Sequence, residues 1–202
     1  MPKISESKKE ERKKIILASA AEVFGNKGYS DSSIDDIVKH SGISKGGIYT
    51  YFPTKEAIFL EIAEQRIEAR TDLVKELSSI QSATKRIETY IRWLLETLDD
   101  PKVISRCRFS FEFWTVISRN QEKGHLAKER YDKFAKELES FILYGIEQKE
   151  FRSDLEVKSA VLILLSAMDG ISFMSTVMGK EVKRIDIAEF VSMFTNYWRV
   201  SR

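Results

Sequence analysis

The sequence predicts an all-α protein, and three observations carry that expectation. Ala, Leu, Glu and Lys recur throughout, while proline occupies only three positions and glycine nine, so little interrupts helix formation. Apolar residues return every three or four positions along most of the chain. No stretch alternates apolar and polar residues as a half-buried strand does, and there is no internal repeat or low-complexity tract. With 202 residues, 43% hydrophobic and 32% charged, the chain can bury a sizeable core in one or two units.

Each helix has its own signals. The first is expected over about Ser7 to Lys27, where Ile16, Ala20 and Phe24 recur every fourth residue and Leu17 and Val23 widen the stripe. Gly28 ends it, and Lys27 suits the negative end of the dipole. Ser33 caps a second, short helix with Asp35 and Asp36 in its first turn, and Gly42 supplies the left-handed turn that stops it. Ser44 caps a third helix, whose core face is Ile48 and Phe52 and which Pro53 ends. Thr54 caps a fourth, through about Leu77. Beyond Ser78 a helix carries Ile87, Tyr90, Ile91, Leu94, Leu95 and Leu98, and Pro101 is expected to stop it. An aromatic-rich segment follows, with Phe109, Phe111, Phe113 and Trp114, ending near Asn120 to Gly124. The next helix holds Leu126, Tyr131, Phe134, Leu138, Phe141, Ile142 and Ile146. Asp154 is expected to cap an unusually apolar helix over about Leu155 to Met178, closed by Gly179, and the last helix runs from about Asp186 to Arg199. These elements divide into a three-helix unit, residues 1–53, and a helical remainder, 54–202, with the helix over about 54–77 linking the two.

Two helices this short, joined by a glycine turn, bury too little to be a core. They suit a device that lays one helix in the DNA major groove. Gly46 and Gly47 each cost about 1 kcal/mol relative to alanine in a helix; they either sit harmlessly in a first turn or bare the backbone for close approach to DNA. Lys45 is placed to donate to guanine O6 and N7 or to a phosphate. Tyr49, Thr50 and Tyr51 offer hydroxyl donors or an apolar edge, and Lys55 adds charge beside free helix-end amides. Ser33 and Ser44 could share their caps with phosphate oxygens. The net charge of +2 announces no nucleic-acid partner. Clustering of Lys8, Lys9, Arg12, Lys13 and Lys14, with Lys45 and Lys55 about the short helix, counts for more, since exposed charges act over about 8 Å.

Ile16 to Phe24, Gly28-Tyr29, Ile34 to Gly42 and Ser44-Lys45-Gly46-Gly47-Ile48-Tyr49-Thr50-Tyr51-Phe52 with Lys55-Glu56 together resemble the amino-terminal domain of the TetR family of bacterial transcription regulators. The match spans the first fifth to quarter of the chain and is specific in its Ile-Tyr-x-Tyr-Phe-x-x-Lys-Glu spacing. Beyond it only the helix count and the segment Gly145-Ile146-Glu147 through Phe151 and Asp154 are similar. The resemblance implies an all-helical homodimer that binds a palindromic operator, usually as a repressor, and lets go when a small molecule occupies the carboxyl-terminal domain. By position, Lys45, Gly46, Tyr49, Tyr51 and Lys55 match the family's usual DNA contacts. Asp35 departs from it, standing where many members carry a basic or neutral polar residue.

For the dimer, the last two helices are the candidates. The helix over 155–178 is apolar on more than one face, through Val161, Leu162, Leu164, Leu165 and Met168, and so needs two partners. Ser166, Ala167 and Gly170 permit close approach, and Phe190, Phe194, Tyr197 and Trp198 add apolar surface. The middle helices are expected to enclose a small hydrophobic or aromatic effector. The candidate contacts are Tyr90, Trp93, Phe109, Phe113, Trp114, Phe134, Phe141, Asp169 and Phe173, although aromatics at helical spacing ordinarily belong to a core. Asp169, costly to bury unpaired, would meet either a cationic ligand or an Arg or Lys partner. Ligand binding is expected to shift the fourth helix and with it the separation of the two reading helices.

Two other functions compete with this one. An enzyme is disfavoured because His40 and His125 read as exposed helix-end residues, and no cysteine or carboxylate set has metal-ligand spacing. A helical interaction scaffold without DNA binding differs only in its head. No catalytic residue, metal site or cofactor is expected. Cys107, the lone cysteine, reads as a small core residue in a reducing compartment. The polar amino terminus shows no signal-peptide core, and the longest greasy stretch, Ala160 to Met168, falls short of a membrane span. A cytoplasmic location is expected.

Overall fold

The computed structural model describes residues 6–95, 98, 100–179 and 186–199. Among these, nine helices follow one another: α1 (Glu6–Lys27), α2 (Ile34–Ser41), α3 (Lys45–Tyr49), α4 (Lys55–Leu77), α5 (Ala83–Leu95), α6 (Pro101–Ile117), α7 (His125–Glu147), α8 (Val157–Thr176) and α9 (Ile187–Trp198). The described residues contain no strand, only an isolated antiparallel bridge between Phe151 and Arg199. The all-α class predicted from composition and periodicity is the one observed.

The local signals at the amino-terminal helices act as expected. Ser33 Oγ accepts from the Asp36 amide at 3.2 Å, and the Asp36 carboxylate accepts from the Ser33 amide at 3.0 Å, closing a capping box. Ser44 Oγ accepts from Gly47 N at 3.2 Å, and Thr54 Oγ1 from Ala57 N at 3.0 Å. Gly42 stands at φ +69°, a left-handed conformation with a steric cost for any residue bearing a Cβ, and its amide donates to Val38 O at 3.0 Å.

Three boundaries differ from expectation. Pro101 opens α6 instead of stopping the preceding helix, which ends at Leu95. A first-turn proline loses nothing by lacking an amide, and Asp100 caps the same turn by accepting from Lys102 N at 2.8 Å. Asp154 does not cap α8; it pairs with Arg152 at 3.0 Å, and the helix starts after Glu156 without a side-chain cap. The third helix ends at Tyr49, well before Pro53, because the Tyr51 and Phe52 amides both turn back to the Ile48 carbonyl at 3.0 Å.

Apolar side chains gather in two cores. Tyr90 and Ile91 of α5, Leu138, Phe141 and Ile142 of α7, Leu164 of α8 and Trp198 of α9 belong to the body core. The head core joins Ile16, Ala20 and Phe24 of α1 to Ile37, Ile48, Ile58 and Phe59, and it also takes Phe109, Phe113 and Ile117 from α6. Phe113 stacks on Phe59 with ring centroids 3.6 Å apart, and Phe109 meets Phe24 edge-on at 5.7 Å. Helix α6, distant in sequence, thus packs along α1 as part of the head.

Helix α8 corrects another expectation. It is 20 residues long and holds an 18-residue stretch of mean hydropathy 1.6, enough to cross a membrane by length and composition alone, because the apolar pattern resumes beyond Asp169. Ala160, Val161, Leu164, Leu165 and Met168 are buried in the body, whereas Leu162, Ile163, Phe173 and Met174 are exposed.

Candidate nucleic-acid interface and effector site

The reading helix is held from behind. Ile48 is fully buried and Phe52 nearly so, whereas Ser44, Lys45, Gly46, Tyr49 and Thr50 are exposed together on the outer side. A Cβ at Gly46 would enter open space, so that surface is free for close approach. A Cβ at Gly47 would come within 2.9 Å of Ile43 Cγ2 and 3.2 Å of Ser44 Oγ, so Gly47 serves the turn itself. Thr50 Oγ1 donates to Gly46 O at 2.9 Å, and Tyr51 is half-buried against the head core. Ser33 and Ser44 stay exposed, with their hydroxyl oxygens engaged as caps.

The two lysines behave differently. Lys45 Nζ lies 2.9 Å from Asp35 in an ion pair with both side chains more than half exposed. The hydrogen bond to Asp35 and its charge raise the Lys45 pKa. Lys55 turns inward, donating to Tyr29 O and Ser32 O at 2.6 Å and to Ser30 O at 3.3 Å, with its ammonium 4.4 Å from the Tyr29 ring centroid. Desolvation lowers its pKa. The same burial, with Glu56 and Glu112 nearby, pushes the Tyr29 phenol up to about 12. As the structure stands, Lys55 offers DNA its helix-end position more than its ammonium.

Glu112, on α6, carries no sequence signal, yet it grips the turn after α1. Its carboxylate accepts from the backbone amides of Tyr29 and Ser30, both at 2.7 Å, where the chain leaves α1. Desolvation works against the ionised form, but the bonds from Ser30 and Tyr29 and the Lys55 charge outweigh it and hold the carboxyl below its ordinary pKa. Lys123, just before α7, pairs with Glu56 of α4 at 2.6 Å. Besides α4, polar contacts from α6 fasten the head, through Glu112 and through Lys102, which pairs with Glu22 of α1 at 3.7 Å. An acid eighty residues away leaves no local pattern to read.

The candidate effector residues do not converge on one cavity. Phe109, Phe113 and Trp114 belong to the head core or pack against it, while Tyr90, Phe134 and Phe141 belong to the body. Phe173 is exposed and meets Phe111 edge-on at 5.8 Å. Tyr90 Oη donates to Glu137 at 2.7 Å, and Arg70 Nε donates to the same oxygen at 2.5 Å. Arg70 also lies over the Phe134 ring at 3.4 Å, Arg130 stands 5.0 Å from that ring, and Arg66 is 6.0 Å from Trp93. Burial raises the Asp169 pKa against the pull of Arg130. Among the described residues no His, Cys, Asp and Glu group has the makings of a metal site. Burial raises the Cys107 thiol pKa, which suits a packing role.

Comparison with known proteins agrees with this arrangement. Residues 16–62 match the family model for bacterial regulatory proteins of the tetR family, and residues 86–186 match the tetracyclin repressor-like carboxyl-terminal domain. The uncharacterized HTH-type transcriptional regulator YfiR of Bacillus subtilis is 30% identical over 170 residues, 84% of this chain and 82% of its own length. The chain belongs to the TetR family of bacterial transcriptional regulators. Among solved structures, a TetR transcription regulator from Haloarcula marismortui superposes with a TM-score of 0.79 at 15% identity, covering 94% of this chain and 98% of its own. A putative transcriptional regulator from Saccharomonospora viridis in complex with choline gives 0.77 at 25% identity, covering 96% and 100%.

In this TetR-family head the Asp35–Lys45 pair sets a carboxylate beside the exposed lysine of α3. The carboxylate neutralises the lysine aimed outward from α3 and adds a negative charge to the surface that would meet phosphate. Replacing Asp35 by asparagine is expected to tighten operator binding about 2- to 5-fold at low salt, the range of an exposed ion pair. The gain should shrink as salt is raised. Fluorescence anisotropy titrations at two ionic strengths measure it; unchanged affinity at low salt would show that Lys45 makes no contact with DNA.

Proposed function

We propose that this TetR-family regulator is a cytoplasmic, ligand-responsive repressor. It binds a palindromic operator as a homodimer and is released when a small molecule with a hydrophobic or aromatic part occupies the body. The observation that carries the reading is the exposed outer face of α3, with Lys45, Gly46 and Tyr49 presented over a buried Ile48 anchor. Lys45, Tyr49 and Thr50 are read as DNA contacts, with Ser33, Ser44, Gly46, Gly47, Tyr51 and Lys55 shaping the surface around them.

A single reading helix binds weakly, and a two-fold pair spaced by about one helical turn of DNA, roughly 34–36 Å, multiplies the contacts. The exposed apolar stripe of α8 and α9 supports them as the dimer face. Leu162 and Ile163 are 53% and 59% exposed, Met193 71% and Tyr197 70%, more apolar surface than a lone protomer ordinarily leaves to water. A Cβ at Gly170 would meet nothing, leaving room there for a second helix.

Release then follows from differential affinity: the effector favours the state whose heads do not match the operator. Both α4 and the Glu112 contact of α6 carry the change from body to head.

The test is a mobility-shift titration on the DNA upstream of the gene. The double variant Lys45→Ala, Tyr49→Phe should bind about 10- to 100-fold more weakly, with the salt dependence shallower by about one counterion. Failure of the unaltered protein to bind that DNA would reject the regulator role, and wild-type affinity in the variant would reject α3 as its reader.

A further inference from the structure

The body carries as many acids as bases overall, yet arginines of α4, α6 and α7 lie near one another within it. Arg66 and Arg70 of α4, Arg106 of α6 and Arg130 of α7 lie within reach of one another's charge, with Glu137 paired to Arg70 and Asp169 acting on Arg130. Arg70 is only 2% exposed, yet its Nη2 is buried without a hydrogen-bond partner. Glu137 takes the Nε proton and also receives Tyr90 Oη, so its contacts leave that end of the guanidinium bare. A buried charged donor left unmade is costly and rare in a folded protein.

Arg130 makes no ion pair or hydrogen bond among the described contacts. Its guanidinium rests 5.0 Å from the ring of Phe134, on which Arg70 also lies, and 5.4 Å from Trp114. Desolvation lowers the pKa of Arg66 and of Arg130, and neighbouring guanidiniums add to it, Arg106 and Arg70 at Arg66, Arg70 and Arg66 at Arg130. Arg66 and Asp169 still reach solvent although the surrounding protein desolvates both, the condition of groups that line a concavity. A separate open groove between α4 and α7, where Glu64, Glu68, Asp72 and Glu137 face Lys75, Lys133 and Lys136, reaches the acid that holds Arg70 from the solvent side.

We propose that Arg70 and Arg130, with Arg66 beside them, recognise the acidic group of an organic anion. Its carboxylate or phosphate oxygens take the free Arg70 Nη2, and its apolar part lies on Phe134, Trp93 and Trp114. This rests on the reading of the body as an effector site and gives that effector a chemical class. The planar fork of a guanidinium matches paired oxygens two bonds at a time. The aromatic rings already under the guanidiniums supply the apolar remainder of the contact. Asp169 is the acid whose charge acts on Arg130, and it is the charge the ligand replaces.

The test uses the intact protein and four probes of one chain length: decanoate, decyl phosphate, decanol and decyltrimethylammonium, each below its micelle concentration. Binding is read by thermal shift and tryptophan fluorescence. Decanoate, decyl phosphate or both should bind at least 10-fold more tightly than decanol and the ammonium, and comparing the two anions tells carboxylate from phosphate recognition. Arg130→Gln should weaken the bound anion about 10- to 100-fold, the range for a hydrogen-bonded charge, and leave decanol unchanged. Arg66→Gln is the companion where Arg130→Gln lowers expression, since Arg66 is exposed. Equal or tighter binding of decanol or the ammonium overturns the proposal. So does the absence of anion binding at millimolar concentration, or wild-type anion affinity in both variants. Operator binding without probe, measured in parallel, separates the outcomes: its loss removes the regulator reading while anion selectivity is still read.

Discussion

Replacing Glu137 by alanine is expected to destabilise the protein by about 3–5 kcal/mol, the cost of removing one partner from a buried ion pair. Arg70, at 2% exposure and already with one nitrogen unpartnered, would lose its side-chain acceptor. Tyr90 would lose its acceptor as well. For a chain of this size the loss corresponds to a fall in Tm of about 6–20 °C. Glu137→Gln separates charge from bonding: the amide oxygen still accepts, so it should retain part of the stability. Scanning calorimetry on both variants checks this, and equal Tm values for Glu137→Ala and the unaltered protein would mean that Arg70 is neutralised elsewhere.

Phe113→Ala is expected to cost about 3–5 kcal/mol, as for other buried phenylalanines cut to alanine. Phe113 is 1% exposed and stacks on Phe59 at 3.6 Å while meeting Tyr29 edge-on at 4.8 Å and Trp114 at 5.2 Å. Its removal would open a cavity among rings drawn from α4, α6 and the loop after α1. Because those are the elements joining body to head, the loss should be felt in DNA binding too. Hydrogen exchange should show faster amide exchange in α1 and α6 before α8. Uniform acceleration across all helices would mean that the cavity collapses without loosening the head.

The short helices of the head were legible because their determinants are local. Ser33, Ser44 and Thr54 each bond an amide three residues on, and Gly42 adopts its left-handed turn within a single residue. The face that α3 presents follows from the same local pattern, with Ile48 and Phe52 inward. Pro101 was ambiguous in principle, since proline both ends helices and begins them. The deciding partner was Asp100, immediately before it. Asp154 has the chemistry of a cap, but Arg152 two residues away competed for its carboxylate.

What sequence spacing could not supply was the assignment of α6. Phe109 and Phe113 have the same periodicity whether they face an effector or the head, and the choice depends on Phe24, Tyr29 and Phe59, fifty and more residues earlier. Glu112 and the inward turn of Lys55 belong to the same long-range association. The candidate effector set accordingly mixed residues from both cores. The arginines that give the body its polar character lie between the aromatic positions that periodicity selects, and so escaped it.

The sharing of one hydrophobic interior between the first four helices and α6 also limits modularity. A fragment cut just after Ile62 would expose the rings of Phe24, Tyr29 and Phe59 that α6 now covers. Grafting this reader onto another body would succeed only if the recipient brought an equivalent aromatic lid and an acid to grip the Tyr29–Ser30 amides. The two halves are therefore bound to change together, through a helix that belongs by position to one half of the molecule and by packing to the other.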